Sequence, residues 1–127
     1  MRRRLPLIVA ATCAALALPA AAQAVYTQFR TPSGQILCAY LDFGEAPQIR
    51  CDLLFLNDRA VVLKPSGKAR LVKATDVAGH PRSRALAYGT KTRFGVYTCS
   101  SRRTGLTCTN RRTHHGFTVS RQSRKVF

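Results

Sequence analysis

The chain has 127 residues and a strongly basic composition, with 21 Lys and Arg against 5 Asp and Glu, so its formal net charge is +16 at pH 7. A length of this order supports one hydrophobic core rather than several. A positive surplus this large excludes a basic protein as a favourable partner, because the two surfaces would repel each other.

The N-terminal segment has the three parts of a secretory signal peptide. Residues 2–4 are arginines, residues 5–18 are almost entirely apolar, and Ala22, Gln23 and Ala24 form a small-x-small cleavage site. About 14 apolar residues are too few to cross a bilayer, which takes roughly 20. A lipoprotein attached through Cys13 is disfavoured because apolar sequence continues after it. We predict a cleaved signal helix over residues 1–24 and an exported chain, periplasmic or secreted, without a transmembrane anchor.

Removal of this segment leaves residues 25–127, with a net charge of about +13 and four cysteines, Cys38, Cys51, Cys99 and Cys108. Three pairings are possible in principle. Pairing of Cys38 with Cys51 and of Cys99 with Cys108 is favoured, because each pair brackets one predicted hairpin. A zinc site is the alternative, but neither spacing is that of a CxxC knuckle, and an exported chain meets oxidants first.

The mature chain reads as short strands separated by turns. Two Pro-Ser-Gly turns stand at residues 32–34 and 65–67. The apolar run 53–56 is predicted to enter the core, and residues 75–85 are predicted to form a surface connection. Turn signals every 8 to 14 residues predict one all-β domain, a small disulfide-braced β-sandwich or β-barrel of short antiparallel strands. The predicted strands are residues 25–29, 36–41, 48–53, 60–64, 69–73, 86–88, 96–100, 106–110, 117–120 and 123–127.

Several short motifs follow one another along almost the whole mature chain. They are Phe29-x-Thr-Pro-Ser-Gly-x-Ile-x-Cys38, Arg50-Cys51-Asp52, Tyr88-Gly89, Cys99, Gly105-Leu-Thr-Cys-Thr-Asn110 and His115-Gly-Phe-x-Val-Ser-Arg121. With these motifs the chain resembles a family of small secreted bacterial proteins whose domain has no assigned function. Many relatives carry a further cysteine pair near Asn57 and Lys73 that this chain lacks. The resemblance implies a secreted, disulfide-linked, single-domain protein and brings no catalytic residue.

The distribution of charge is the main clue to function. No acid follows Asp76, whereas the stretch from Arg82 to Lys125 holds 11 basic residues. Such a field attracts nucleic acid, anionic lipid or acidic envelope polymers, and paired arginines can grip phosphate or carboxylate. The two Arg pairs are separated by some 20 Å along the predicted strands, so they form two patches unless other elements bridge them. The candidate anion-binding residues are Arg102, Arg103, Arg111, Arg112, His114 and His115.

These features predict a binding or envelope-associated protein with an anionic ligand, of which nucleic acid is not the favoured kind. One alternative is a secreted hydrolase of ribonuclease type that uses His115 with His80 as acid and base. Another is an inhibitor or interaction module with an acidic protein partner. A solvated basic surface without a dedicated ligand is the plainest explanation of the charge. We predict no catalytic residues, no cofactor and no metal, since His114 and His115 lack a third ligand. Oligomeric state is left open.

Overall fold

The computed structural model describes residues 2–17 and 23–127, and within them regular secondary structure is entirely β. Residues 2–17 are exposed and take no regular secondary structure. The rest of the predicted signal peptide, residue 1 and residues 18–22, lies outside the described residues, so the signal helix and its cleavage remain predictions. Among the described residues no helix could cross a membrane.

Within the described residues, eleven strands form two open sheets, which confirms the predicted all-β class and makes the fold a sandwich. The first sheet has the order β5-β4-β3-β2-β1-β6, and the second has the order β11-β10-β9-β8-β7. All neighbours are antiparallel except β1 and β6, which pair in parallel. The strands are β1 Val25–Arg30, β2 Ile36–Asp42, β3 Gln48–Leu53, β4 Arg59–Leu63, β5 Arg70–Lys73, β6 Arg84–Ala85, β7 Lys91–Phe94, β8 Tyr97–Arg102, β9 Gly105–Asn110, β10 Gly116–Val119 and β11 Arg124–Val126.

The core lies between the two sheets and follows from the period-two alternation of the strands. In β8 and β9 the inward residues are fully buried, while their outward neighbours are polar and half-buried. Aromatic rings join the layers, as when Phe29 of β1 stacks on Phe94 of β7 with ring centroids 4.7 Å apart. The largest fully buried side chains are Tyr97, Phe117, Ile49, Leu53, Leu63 and Leu106.

Each sheet carries one disulfide at its centre. Cys38 and Cys51 are direct partners in the register of β2 and β3, and Cys99 and Cys108 are direct partners in β8 and β9. The predicted pairing is therefore confirmed. Closing loops of this length stabilises a folded chain by about 3 kcal/mol per bridge in the chain-entropy account.

Two local predictions were wrong. A strand expected at residues 86–88 forms earlier, as β6, because Arg84 and Ala85 pair with the end of β1. Residues 91–94, which were not among the predicted strands, form β7, and a two-residue turn at Gly95 and Val96 joins it to β8.

The apolar run 53–56 enters the core except at one position. Leu53 is buried, and Phe55 and Leu56 are half-buried and pack against the core. Leu54 is 46% exposed, because it follows the end of β3.

The connection between β5 and β6 is more than a surface loop, because it crosses the outer face of the first sheet. We call residues 74–83 the strap. Buried Asp52 of β3 accepts hydrogen bonds from the backbone N–H groups of Ala78 and Gly79. Gln28 of β1 donates to the Ala78 carbonyl at 2.8 Å. A Cβ on Gly79 would lie 2.5 Å from the backbone of Leu37, so the strap packs directly onto β2.

Tyr97 links the two sheets, and the ionisation of its hydroxyl makes the free energy of unfolding depend on pH in the alkaline range. Its hydroxyl donates to the Pro47 carbonyl in the loop after β2. Burial raises the pKa of Tyr97 from 10.0 to about 12, with a smaller contribution from Tyr40. The folded state therefore favours the neutral phenol, and its stabilising contribution is complete below pH 10 and is lost as the pH rises towards about 12.

We expect the free energy of unfolding to fall over this alkaline range, and to fall less in a Tyr97→Phe protein, which has no proton to lose at that position. Denaturant unfolding at stepped pH measures both profiles. Burial and Asp42 also raise the pKa of Tyr40. Part of the pH dependence of the unfolding free energy should therefore remain in both proteins. Identical profiles would contradict the role given to Tyr97.

Candidate anion-binding site

The outer face of the second sheet presents a ladder of hydroxyl groups. The alternation that turns cysteine, leucine and valine inward turns threonine and serine outward on β8, β9 and β10. The register places these hydroxyls side by side: Thr107 lies between Ser100 and Thr118, and its Oγ1 is 2.9 Å from that of Thr118. We call this surface the hydroxyl face, made of Thr98, Ser100, Thr107, Thr109 and Thr118.

Cations surround the hydroxyl face. Lys91 stands opposite Ser100 and Arg93 opposite Thr98, both from the edge strand β7. Arg102 closes one end, at the last residue of β8, and Arg111 closes the other. Together they border a shallow groove of about 580 Å³. We call this set the basic frame: Lys91, Arg93, Arg102 and Arg111.

Arg111 differs from the rest of the basic frame because its guanidinium is held by the protein. Nη1 donates to the Tyr97 carbonyl at 2.8 Å and to Thr98 Oγ1 at 3.1 Å, and Nη2 donates to the Gly95 carbonyl at 2.6 Å. The side chain therefore ties down the turn between β7 and β8. It folds back towards Thr98, where it supplies a positive charge in a fixed position.

None of the four cations of the frame has a carboxylate partner among the described residues, and Lys91, Arg93 and Arg102 are not held by carbonyl groups as Arg111 is. Both ion pairs within the described part of the chain belong to Arg50 of the first sheet, which contacts Asp52 and Asp76. Burial alone would lower the pKa of Arg50, yet these two carboxylates hold it above its ordinary value. The hydrogen bond from Arg50 in turn lowers the pKa of Asp76. No acidic residue belongs to β7–β11, so the field over the hydroxyl face has one sign.

The structure brings together some of the residues predicted from sequence and separates others. Arg102 and Arg111 border one groove, and β7 bridges the two patches that the spacing along the strands had left apart. Arg103 lies at the tip of the β8–β9 hairpin, with its guanidinium 5.1 Å from the Tyr88 ring centre. Arg112 and His114 are exposed in the loop between β9 and β10, outside the residues that line the groove.

The histidines sit in places with local structural roles. His114 adopts a left-handed backbone (φ 65°), and its N–H donates to the Asn110 carbonyl, which closes the β9–β10 loop. His115 is half-buried in the same loop. His80, the partner invoked for acid–base chemistry, lies in the strap on the other sheet, and its Nδ1 accepts the Arg82 N–H. His80 thus lies in the strap of the first sheet, whereas His115 lies in a loop of the second sheet.

Lys91, Arg93 and the residues of the hydroxyl face were not predicted from the sequence as site residues. A usable signal was present: a two-residue turn with Gly first, at Gly95 and Val96, is typical of a β-hairpin. It would have extended the alternation backwards through β7 and placed Lys91 and Arg93 on the same outward face as Thr98 and Ser100.

A larger groove of about 1040 Å³ lies on the outer face of the first sheet, between the β4–β5 turn and the strap. Its floor includes Val62 and Val72, and Lys68 and Arg70 stand on its rim. Arg50, which also lines it, is committed to Asp52 and Asp76, so this surface carries both signs of charge. Size alone therefore does not make it the better anion site.

No family model, curated protein or solved structure matches this chain. The resemblance to a family of small secreted bacterial proteins therefore stays a prediction.

Proposed function

We propose that the protein binds an anionic ligand on the hydroxyl face, between the cations of the basic frame. One observation carries the proposal: Lys91, Arg93 and Arg102 surround a hydroxyl-lined groove on an acid-free sheet face and have no carboxylate partner among the described residues. Unpaired cations around a partly desolvated groove interact with an anion more strongly than isolated surface charges do.

The hydroxyls complement the charges. Each serine or threonine can both donate and accept a hydrogen bond, so the floor can satisfy the oxygens of a ligand while the frame neutralises its charge. Arg111 is already fixed by the protein, which reduces the entropy lost when a ligand is bound.

An exported setting, periplasmic or associated with the cell envelope, belongs to the same proposal. It is supported by two buried disulfides, which form and persist in oxidising compartments. The signal-like N-terminal segment supports it independently. Acidic envelope polymers and anionic lipid headgroups are the abundant anions in that setting, and they suit a positively charged face.

The test compares two triple variants that remove the same charge. The frame variant combines Lys91→Ser, Arg93→Ser and Arg102→Ser. It removes three of the four cations of the basic frame and keeps Arg111, because that side chain holds the β7–β8 turn. The control removes the exposed cations Lys68, Arg70 and Lys73 of the first sheet in the same way.

Binding is measured against DNA, RNA, lipopolysaccharide and an acidic cell-wall glycan over a salt series. We expect the frame variant to lose about 100-fold in affinity for the bound class, as three contacts of about 1 kcal/mol each would give. The control should lose a small part of that. The slope of affinity against salt should also become shallower by about three released counterions. Equal losses in the two triples would show that the charge acts generically and would overturn the proposal.

A further inference from the structure

A second, smaller groove lies at the end of the sandwich, next to the hydroxyl face. It has a volume of about 190 Å³ and is lined by residues of the β8–β9 turn, the end of β10 and the residues that follow it, the β1–β2 turn, Phe55 and Tyr88. We call it the end groove. Arg102 lines both the end groove and the groove of the hydroxyl face, so the two grooves meet at this side chain. Arg103 and Arg121 add two further cations on the side of the end groove.

The end groove also offers a flat aromatic surface. Tyr88 is 40% exposed, and the guanidinium of Arg103 is stacked over its ring. The position of Tyr88 is fixed by its neighbour Gly89, whose N–H donates to the Ser101 carbonyl. A rigid ring beside a planar cation is suited to the face of a sugar or a base.

The cations follow the strand direction. Thr98, where the Arg111 guanidinium lies, and Arg102 are four positions apart on β8, a distance of about 13 Å. The hairpin tip with Arg103 then extends the path towards Tyr88. The result is a track of about 20 Å, with charges along it and an aromatic ring at one end. A small anion would use a fraction of such a track, whereas a linear polyanion would use all of it.

We infer that the ligand is a linear acidic polysaccharide, which lies along β8 from Arg111 to Arg102 and packs one sugar ring on Tyr88. This inference rests on the proposed function and names its ligand class. Sugar rings present hydroxyls at every unit, which match the donors and acceptors of the hydroxyl face. Single-stranded nucleic acid is generally bound on successive exposed aromatic rings. Two rings line the end groove, but Phe55 is half-buried and packs against the core, which leaves Tyr88 as the exposed one. The hydroxyl face and the end groove therefore favour a polysaccharide over a nucleic acid as the ligand.

The experiment uses oligogalacturonates as probes, a disaccharide, a tetrasaccharide and an octasaccharide, with oligothymidylates of equal charge for comparison. Isothermal titration at physiological salt should show affinity that rises from the disaccharide to the longer chains and levels off once the track is filled. Tyr88→Leu should weaken the octasaccharide about tenfold, as the loss of one stacked ring would, and leave the disaccharide unchanged. Phe43→Leu, at an aromatic side chain that is 64% exposed in the β2–β3 loop, is the matched control and should have no effect.

Affinity independent of length, or an unaltered octasaccharide affinity in Tyr88→Leu, would overturn the track. Tighter binding of the oligothymidylates would overturn the assignment to sugar in favour of nucleic acid. If the triple change at Lys91, Arg93 and Arg102 alters no affinity for any probe, the proposed function itself fails. If that change weakens binding while chain length and Tyr88 have no influence, the inference alone fails.

Discussion

Replacing Asn110 with alanine is expected to lower the free energy of unfolding by about 3 kcal/mol, because one buried amide joins the two sheets. Asn110 is fully buried at the end of β9. Its Nδ2 donates to the carbonyls of Lys64 and Pro65 in the β4–β5 turn of the first sheet, at 3.4 and 3.1 Å. Its Oδ1 accepts the N–H groups of Arg112 and Thr113, which shapes the β9–β10 loop. Alanine would leave all four backbone groups without this partner.

Urea unfolding measures the change, with Asn57→Ala at an exposed turn position as the control, expected to stay within about 0.5 kcal/mol of the parent. An Asn110→Asp protein sharpens the test. Its carboxylate can still accept from the loop but faces the two carbonyls of the first sheet without a proton to donate. Lowering the pH should protonate it and restore part of the lost stability. A stability loss in Asn110→Ala no larger than that of the control would contradict the joining role.

Replacing Asp52 with alanine is expected to cost about 3 kcal/mol, because the strap loses its anchor and Arg50 loses its buried partner. The Asp52 side chain is 5% exposed and lies 2.7 Å from Arg50 Nη2. Its other oxygen accepts the Ala78 N–H at 2.8 Å. Without it the strap would open, and the outer face of β2, where Leu37 and Ala39 are now buried, would meet water.

Asp76 provides the matched control, since it pairs with the same arginine from a side chain that is 80% exposed. Asp76→Ala should lower the free energy of unfolding far less than Asp52→Ala does, because solvent screens an exposed ion pair. Hydrogen exchange of the Ala78 and Gly79 amides should speed up strongly in Asp52→Ala and little in Asp76→Ala. Equal stability losses in the two proteins would contradict the anchoring role of Asp52.

The parts of the fold that were predicted correctly depend on residues close together in sequence. The Cys99–Cys108 bridge closes a nine-residue separation inside one hairpin, and the period-two pattern of β8 and β9 follows directly from side-chain type. Turn residues such as those at 32–34 act on their immediate neighbours. Arg102 was assigned to an anion site on charge alone, and it does border the groove.

The parts that were missed depend on contacts between distant residues. Residues 75–85 carry no pattern of their own, because their conformation is set by Asp52 and Gln28, about 26 and 50 positions earlier. Leu54 is as apolar as Leu53 but follows the end of β3, so hydrophobicity alone overestimated its burial. Arg111 and Arg112 are identical in type, yet Arg111 is held by the turn at Gly95 and lines the groove while Arg112 does not.

Composition and local pattern by themselves determined the all-β class, both disulfides and the one-signed charge of the second half of the chain. Alternation, turn chemistry and hairpin pairing act over a few residues, which is why they can be seen in the sequence. The tertiary structure decided which side chains share a surface. Lys91 and Arg93 became part of the candidate site because β7 pairs with β8, and Tyr88 joined it because the Gly89 N–H is bound to Ser101. Such neighbours are chosen by the packing of the whole sandwich, which no local pattern specifies.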